Sequence, residues 1–157
     1  METILAPLPL GTSDFSALRK SGQIYVDKTR LIYTLASKRQ KFFLSRPRRF
    51  GKSLLLSTFE SLFKYGLRDF HGLEIESLWK DENTYQVIRL DFSNLKDFSS
   101  VEEFSELLDQ YLLDTLTVNR LVSPIKTDKE GLRAFIGWLA LQADNSLSLI
   151  HISEPTR

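Results

Sequence analysis

Gly51-Lys52-Ser53 carries the clearest chemistry in this chain. It closes the stretch Arg46-Pro47-Arg48-Arg49-Phe50-Gly51-Lys52-Ser53, which has the length and ending of the phosphate-binding pattern G-x-x-x-x-G-K-[S/T]. In such a loop, successive backbone N–H groups form a concave anion site, and the helix that opens there adds unpaired N–H groups and the positive end of its dipole. Gly51 lets the backbone approach a phosphate with no Cβ in the way. Lys52 is placed to reach β- and γ-phosphates, and the Ser53 hydroxyl to hold Mg²⁺.

The pattern is imperfect. Arg46 stands where the first glycine belongs, and Pro47 biases it toward extended geometry, away from φ > 0. Read alone, Gly51-Lys52-Ser53 is also compatible with a chance tripeptide in a basic surface loop. The flanks supply a setting. The apolar run Phe42-Phe43-Leu44 predicts a buried strand over residues 42–45. Beyond the loop, Leu55, Phe59, Leu62 and Phe63 fall at helical steps with Leu56 beside them, and Gly66 suits the helix end. Strand, loop and helix in that order are what the motif requires.

The other elements must hold this loop in place. A short helix is expected around Ala17-Leu18. Asp27 is a candidate N-cap, with Val26 and Leu31 as a hydrophobic staple. The helix behind it shows Leu31, Ile32 and Leu35 and ends near Ser37, where Lys38-Arg39-Gln40-Lys41 begins. Residues 69–79 read as irregular or one short helix, and a lone histidine there, His71, makes no metal site. A second strand is expected over 85–90, ending in Asp91. Arg89 interrupts the continuous apolar run of a fully buried parallel strand, so Asp91 reads as a turn cap and not as a metal-site acid. Ser100-Val-Glu-Glu103 has the form of a capping box. The helix behind it places Val101, Phe104, Leu107, Leu108, Tyr111 and Leu112 on one face, and Glu102, Glu103, Glu106 and Asp109 mostly on a solvated one. Thr127-Asp-Lys-Glu130 repeats the box beyond Pro124, before Leu132, Phe135, Ile136 and Leu139.

Arg46-Pro-Arg-Arg-Phe-Gly-Lys-Ser-Leu54 resembles the phosphate loop of the bacterial and archaeal AAA-ATPase-like proteins. Gly11-Thr-Ser-Asp-Phe15, Tyr25-Val-Asp-Lys-Thr29, Phe70-His-Gly-Leu73 and Leu90-Asp-Phe-Ser93 follow that family's order and approximate spacing, and the likeness covers most of residues 8–146. Arg46 is the residue expected there in this family. The resemblance implies an α/β fold: the N-terminal, incomplete part of a P-loop NTPase with a parallel sheet and crossover helices. It implies ATP and Mg²⁺ as cofactors, bound by Arg46, Pro47, Arg48, Arg49, Phe50, Gly51, Lys52 and Ser53, with Ser53 on the metal. It sets the leader segment beside the nucleotide, although Phe15 and Tyr25 read first as core aromatics. In the family a Walker B strand follows the helix represented here by residues 132–141, and a nuclease-like region comes later. The acids needed for hydrolysis are thus expected beyond this chain.

Residues 147–157, Leu-Ser-Leu-Ile-His-Ile-Ser-Glu-Pro-Thr-Arg, resemble the in-frame translation of a transposase-based sequencing adapter. The expected division is therefore a truncated domain over 1–146 and a non-native tail over 147–157, the alternative being a natural strand at 147–152.

Composition narrows the classes. With 21 basic and 20 acidic side chains there is no global field for nucleic acid or membrane, so anion binding must be local. Zero Cys excludes a disulfide framework or thiolate metal site and fits a reducing, cytoplasmic setting. No stretch approaches a membrane span, and residues 1–10 lack the features of a signal peptide. The rival reading is a nucleic-acid or partner-binding module. In it, Lys38 to Lys41 with Arg46, Arg48 and Arg49 track a backbone while Phe42, Phe43 and Phe50 stack bases.

Overall fold

The computed structural model describes residues 6–38, 42–47, 49–92, 95, 98–118 and 147–152. These fall into two compact units, divided between Tyr85 and Gln86.

The first unit is helical. α1 (Phe15–Lys20) starts where Asp14 accepts the Ala17 N–H at 2.7 Å, a side-chain N-cap, and ends with Arg19 and Lys20 at the negative end of the dipole. The N-cap position of α2 (Thr29–Ala36) falls on Lys28 and not on Asp27 as expected; Asp27, one residue earlier, takes the Thr29 N–H at 2.8 Å with its carboxylate. The expected staple does not form as a buried pair: Val26 is 70% and Leu31 61% exposed, while Thr29 and Ile32 face inward. α3 (Lys52–Tyr65) is the long helix of the unit and stops at Gly66, whose φ of 62° lies in the left-handed region. A 3₁₀ turn over Gly66–Asp69 and the one-turn α4 (Ile75–Leu78) complete it. The core gathers Phe15, Ile32, Leu62, Phe70, Leu73, Ile75 and Trp79.

Two expectations are corrected here. Residues 42–45 are not a buried strand; 42–47 lack regular structure and Phe43 is 93% exposed. An isolated strand has no partner for its N–H and C=O groups, and the ladder among the described residues joins two other segments. The most buried face of α3 is also not the apolar one. Ser57, Thr58, Ser61 and Leu62 are buried, while Leu55, Phe59 and Phe63 are half-buried against the core.

In the second unit, β1 (Gln86–Asp91) buries Ile88 and Leu90 on one face and Val87 on the other, where Arg89 is exposed. β2 (Leu147–Ile152) pairs with it in parallel, Gln86 opposite Leu147 and Asp91 opposite Ile152. α5 (Val101–Val118) packs Leu108 and Leu112, with Phe104 and Tyr111 half-buried, on Ile88 and Leu90. Val101 and Leu107 of the expected face are exposed. Its capping box is a variant: Ser100 Oγ accepts the Glu103 N–H at 3.1 Å, but the Glu103 carboxylate reaches Ser99 at 2.7 Å. Glu102, Glu103 and Glu106 face solvent. The capping box at 127–130 and the apolar positions 132–139 lie outside the described residues.

Candidate phosphate-binding loop

The loop turns by two left-handed residues. Gly51 has φ 72° and Arg49 φ 65°, and Arg49 is the one non-glycine residue with positive φ among those described. Arg46 is not among the positive-φ residues, so its mismatch with glycine creates no backbone strain. The residue that resists its conformation is Arg49, at a cost of roughly 1–2 kcal/mol. Left-handed and right-handed residues in alternation turn consecutive N–H groups toward one point, which is how backbone anion sites are built.

Gly51 opens α3 without a side-chain cap, and the first helical bond runs from Leu55 N to Gly51 O at 2.9 Å. The N–H groups of the first turn therefore have no partner within the helix. Lys52 reaches back across the loop. Its Nζ donates to the Arg46 carbonyl at 3.0 Å and the Pro47 carbonyl at 3.1 Å, closing the loop into a ring. The ammonium is thereby held against the start of the loop. Ser53 follows, half-buried. Arg46, Pro47, Arg49 and Phe50 are exposed on the loop, and Arg48 lies outside the described residues.

What holds α3 was not read from the sequence. Ser53, Ser57 and Ser61 recur at four-residue steps, so they share one face of the helix. Ser57 Oγ accepts the Phe15 N–H at 2.9 Å in a buried bond. Ser61 Oγ donates to Asp69 Oδ2 at 2.7 Å. Asp69 also accepts from Ser16 Oγ and from Arg68 Nη2 at 2.9 Å, and its carbonyl accepts from Arg19 Nε at 3.1 Å. The Arg68 hydrogen bond, helped by those from Ser16 and Ser61, overcomes partial burial and holds the Asp69 carboxyl well below the usual carboxylate range.

A second hub ties α2 to α4. Asp27 Oδ1 accepts from Thr29 Oγ1 at 2.7 Å, Asp27 Oδ2 from Glu74 N at 2.7 Å, and Thr29 Oγ1 from Ile75 N at 3.0 Å. Partial burial pushes the Asp27 carboxyl up, but the hydrogen bonds from Thr29 and Glu74 outweigh it and leave it lowered. Phe15 is fully buried, with Tyr25 edge-on at 5.2 Å and Phe70 at 4.7 Å between ring centroids, so it is a core aromatic. Burial also raises the half-buried Tyr25 hydroxyl. His71 is exposed beside Glu76 at 3.0 Å, and no metal-binding group of three His, Cys, Asp or Glu occurs among the described residues. The serine stripe was the available signal for Ser57 and Ser61; beside its neighbour Arg68, Asp69 offered no sign of its other partners, Ser16 on α1 and Ser61 on α3.

The loop thus leads into α3 at Gly51, with Lys52 and Ser53 in the first turn of the helix. The family described as "Predicted AAA-ATPase" matches residues 9–150, and the chain belongs to this AAA-ATPase-like family. One relative, from Azotobacter chroococcum mcd 1, is described as "Uncharacterized protein in vnfD 5'region". It is 34% identical over 137 residues, which are 87% of this chain and 26% of that protein. The chain thus spans about a quarter of that relative's length. No solved structure matches the chain. No helix among the described residues is long and apolar enough to cross a membrane.

Proposed function

We propose that the chain binds the phosphates of ATP, with Mg²⁺, in the loop 46–53, as the nucleotide-binding part of an AAA-like ATPase. The observation that carries the reading is the Lys52 clasp on the Arg46 and Pro47 carbonyls, in a loop that leads into a helix without a side-chain cap. The residues fit the group: backbone N–H donors and a fixed cation suit phosphate oxygens, and the Ser53 hydroxyl suits Mg²⁺ shared with them. Bound Mg²⁺ would neutralise phosphate charge. The chain's own work is to cradle phosphate with the backbone of 46–52 and to present Lys52, with Arg48 and Arg49 toward phosphate or a partner.

The reading includes an α/β P-loop fold with a parallel sheet, for which β1 supplies a strand between helices, and a cytoplasmic setting, supported by zero Cys. It includes the division of native chain from tail at 146/147, supported by the adapter-like order of 147–157. Reading the source DNA through the codon for Asn145 tests that division; genomic sequence continuing into the Leu147–Arg157 codons overturns it. Calorimetric titration of Mg·ATP into the chain and into Lys52→Ala tests the site. Binding by the first and none by the second is expected, and equal affinity overturns the assignment.

A second reading gains from one observation. Phe42, Phe43 and Phe50 are exposed beside Arg46 and Arg49, which is the surface a single-stranded nucleic acid needs for stacking and charge. Affinity for an oligonucleotide that falls steeply with salt and is indifferent to ATP would favour it.

A further inference from the structure

We infer that Ser57 is a positioning residue for the phosphate loop, locking the first turns of α3 to the leader helix α1; this rests on the phosphate-loop reading above. Phe15 N–H belongs to the first turn of α1, where the first helical bond is Leu18 N to Asp14 O and the Asp14 carboxylate is committed to Ala17. Such a donor has no partner in its own helix. It finds Ser57 Oγ at 2.9 Å, buried, from 42 residues away in sequence.

The donor is immobile because the Phe15 ring is fully buried between Tyr25 and Phe70. The bond therefore fixes α3 to the core rather than fixing Phe15 to α3. Ser57 lies one turn beyond Ser53 on the same face, so a shift of α3 at Ser57 moves Ser53 and Lys52 with it. A second tether acts one turn further on, where Ser61 donates to Asp69, the carboxylate that also receives Ser16 of α1. α1 thus holds the loop's helix at two successive turns, and Ser57 is the tether nearer the loop.

The test is amide hydrogen exchange on the 157-residue chain without nucleotide, comparing wild type, Ser57→Ala and Ser57→Thr. Loss of one buried hydrogen bond is expected to speed exchange in the hydrogen-bonded segment 55–60 of α3 by about fivefold in Ser57→Ala, with 75–91 unchanged. Ser57→Thr, which keeps the hydroxyl, should stay within about twofold of wild type. Unchanged exchange at 55–60 overturns the proposal, and so does uniform acceleration across residues 7–85, which marks a merely structural hydroxyl. Mg·ATP titration of the same proteins separates the two ideas. Wild type that fails to bind sinks the phosphate reading while the exchange result still judges the positioning role. Wild type that binds, with Ser57→Ala weaker, supports both.

Discussion

Lys52 Nζ lies 3.0 Å from the carbonyl oxygen of Arg46, six residues back along the chain. The lysine is therefore part of the loop's architecture before any ligand arrives, since it also holds Pro47 O at 3.1 Å. Removing it should cost both the phosphate contact and the ring closure. Lys52→Ala is expected to weaken Mg·ATP at least about 100-fold, which corresponds to about 2.7 kcal/mol. Stability, read by urea denaturation, should change by less than about 1 kcal/mol, because the bonds it makes are exposed. A Kd within threefold of wild type would remove Lys52 from the site.

Arg49 holds φ 65° without being glycine. Replacing it with Gly should relieve roughly 1–2 kcal/mol of left-handed strain and add roughly 0.5–1 kcal/mol of unfolded-state entropy, for a net gain of 0 to about 1.5 kcal/mol. Arg49→Val, β-branched, should instead lose at least about 1 kcal/mol. Urea midpoints for the pair check this, and a Val variant as stable as the Gly one would contradict the left-handed assignment.

The helices were the legible part of this fold, because their signals are local. Asp14 caps α1, Asp27 takes the Thr29 N–H from one residue before the N-cap position of α2, and Gly66 ends α3 with its own φ. The loop was legible as Gly51-Lys52-Ser53, but the strained position was sought at Arg46 and occurs at Arg49, since left-handed turning depends on the loop's path and not on the motif's letters. Residues 42–45 have the composition of a strand, yet strand formation depends on a partner that lies elsewhere in sequence. The burial of Ser57 and Ser61 was hidden for a similar reason. A serine reads as polar surface until the distant Phe15 amide or Asp69 carboxylate that satisfies it is known.

Asp69 gives the first unit an acid-sensitive point. Its folded carboxyl lies below the unfolded value of about 3.9, so in acid the unfolded chain binds the proton more readily. The stability it contributes is complete above about pH 5 and is lost as pH falls through the unfolded value toward the folded one. Asp69→Asn should cost about 2 kcal/mol at pH 7, because Ser61 and Arg68 lose a charged acceptor. Urea midpoints at pH 7, 5 and 3.5 should show the gap between wild type and variant narrowing only at the lowest pH. A gap independent of pH would mean that the carboxylate's charge is not what the cluster uses.

Phe43 is 93% exposed and Phe42 50% exposed, in a segment with no regular structure. Surface positions without packing tolerate substitution, so Phe43→Ser should change stability by no more than about 0.5 kcal/mol. Solubility should respond far more, because consecutive exposed aromatics in an unpaired segment favour self-association. Light scattering of the purified chain across a concentration series should show a lower mass at high concentration for Phe43→Ser than for wild type. A large loss of stability instead would place Phe43 in a packed environment and argue for a strand at residues 42–45 after all. Equal self-association with unchanged stability would leave the ring exposed and direct attention to the other exposed aromatic of the loop, Phe50.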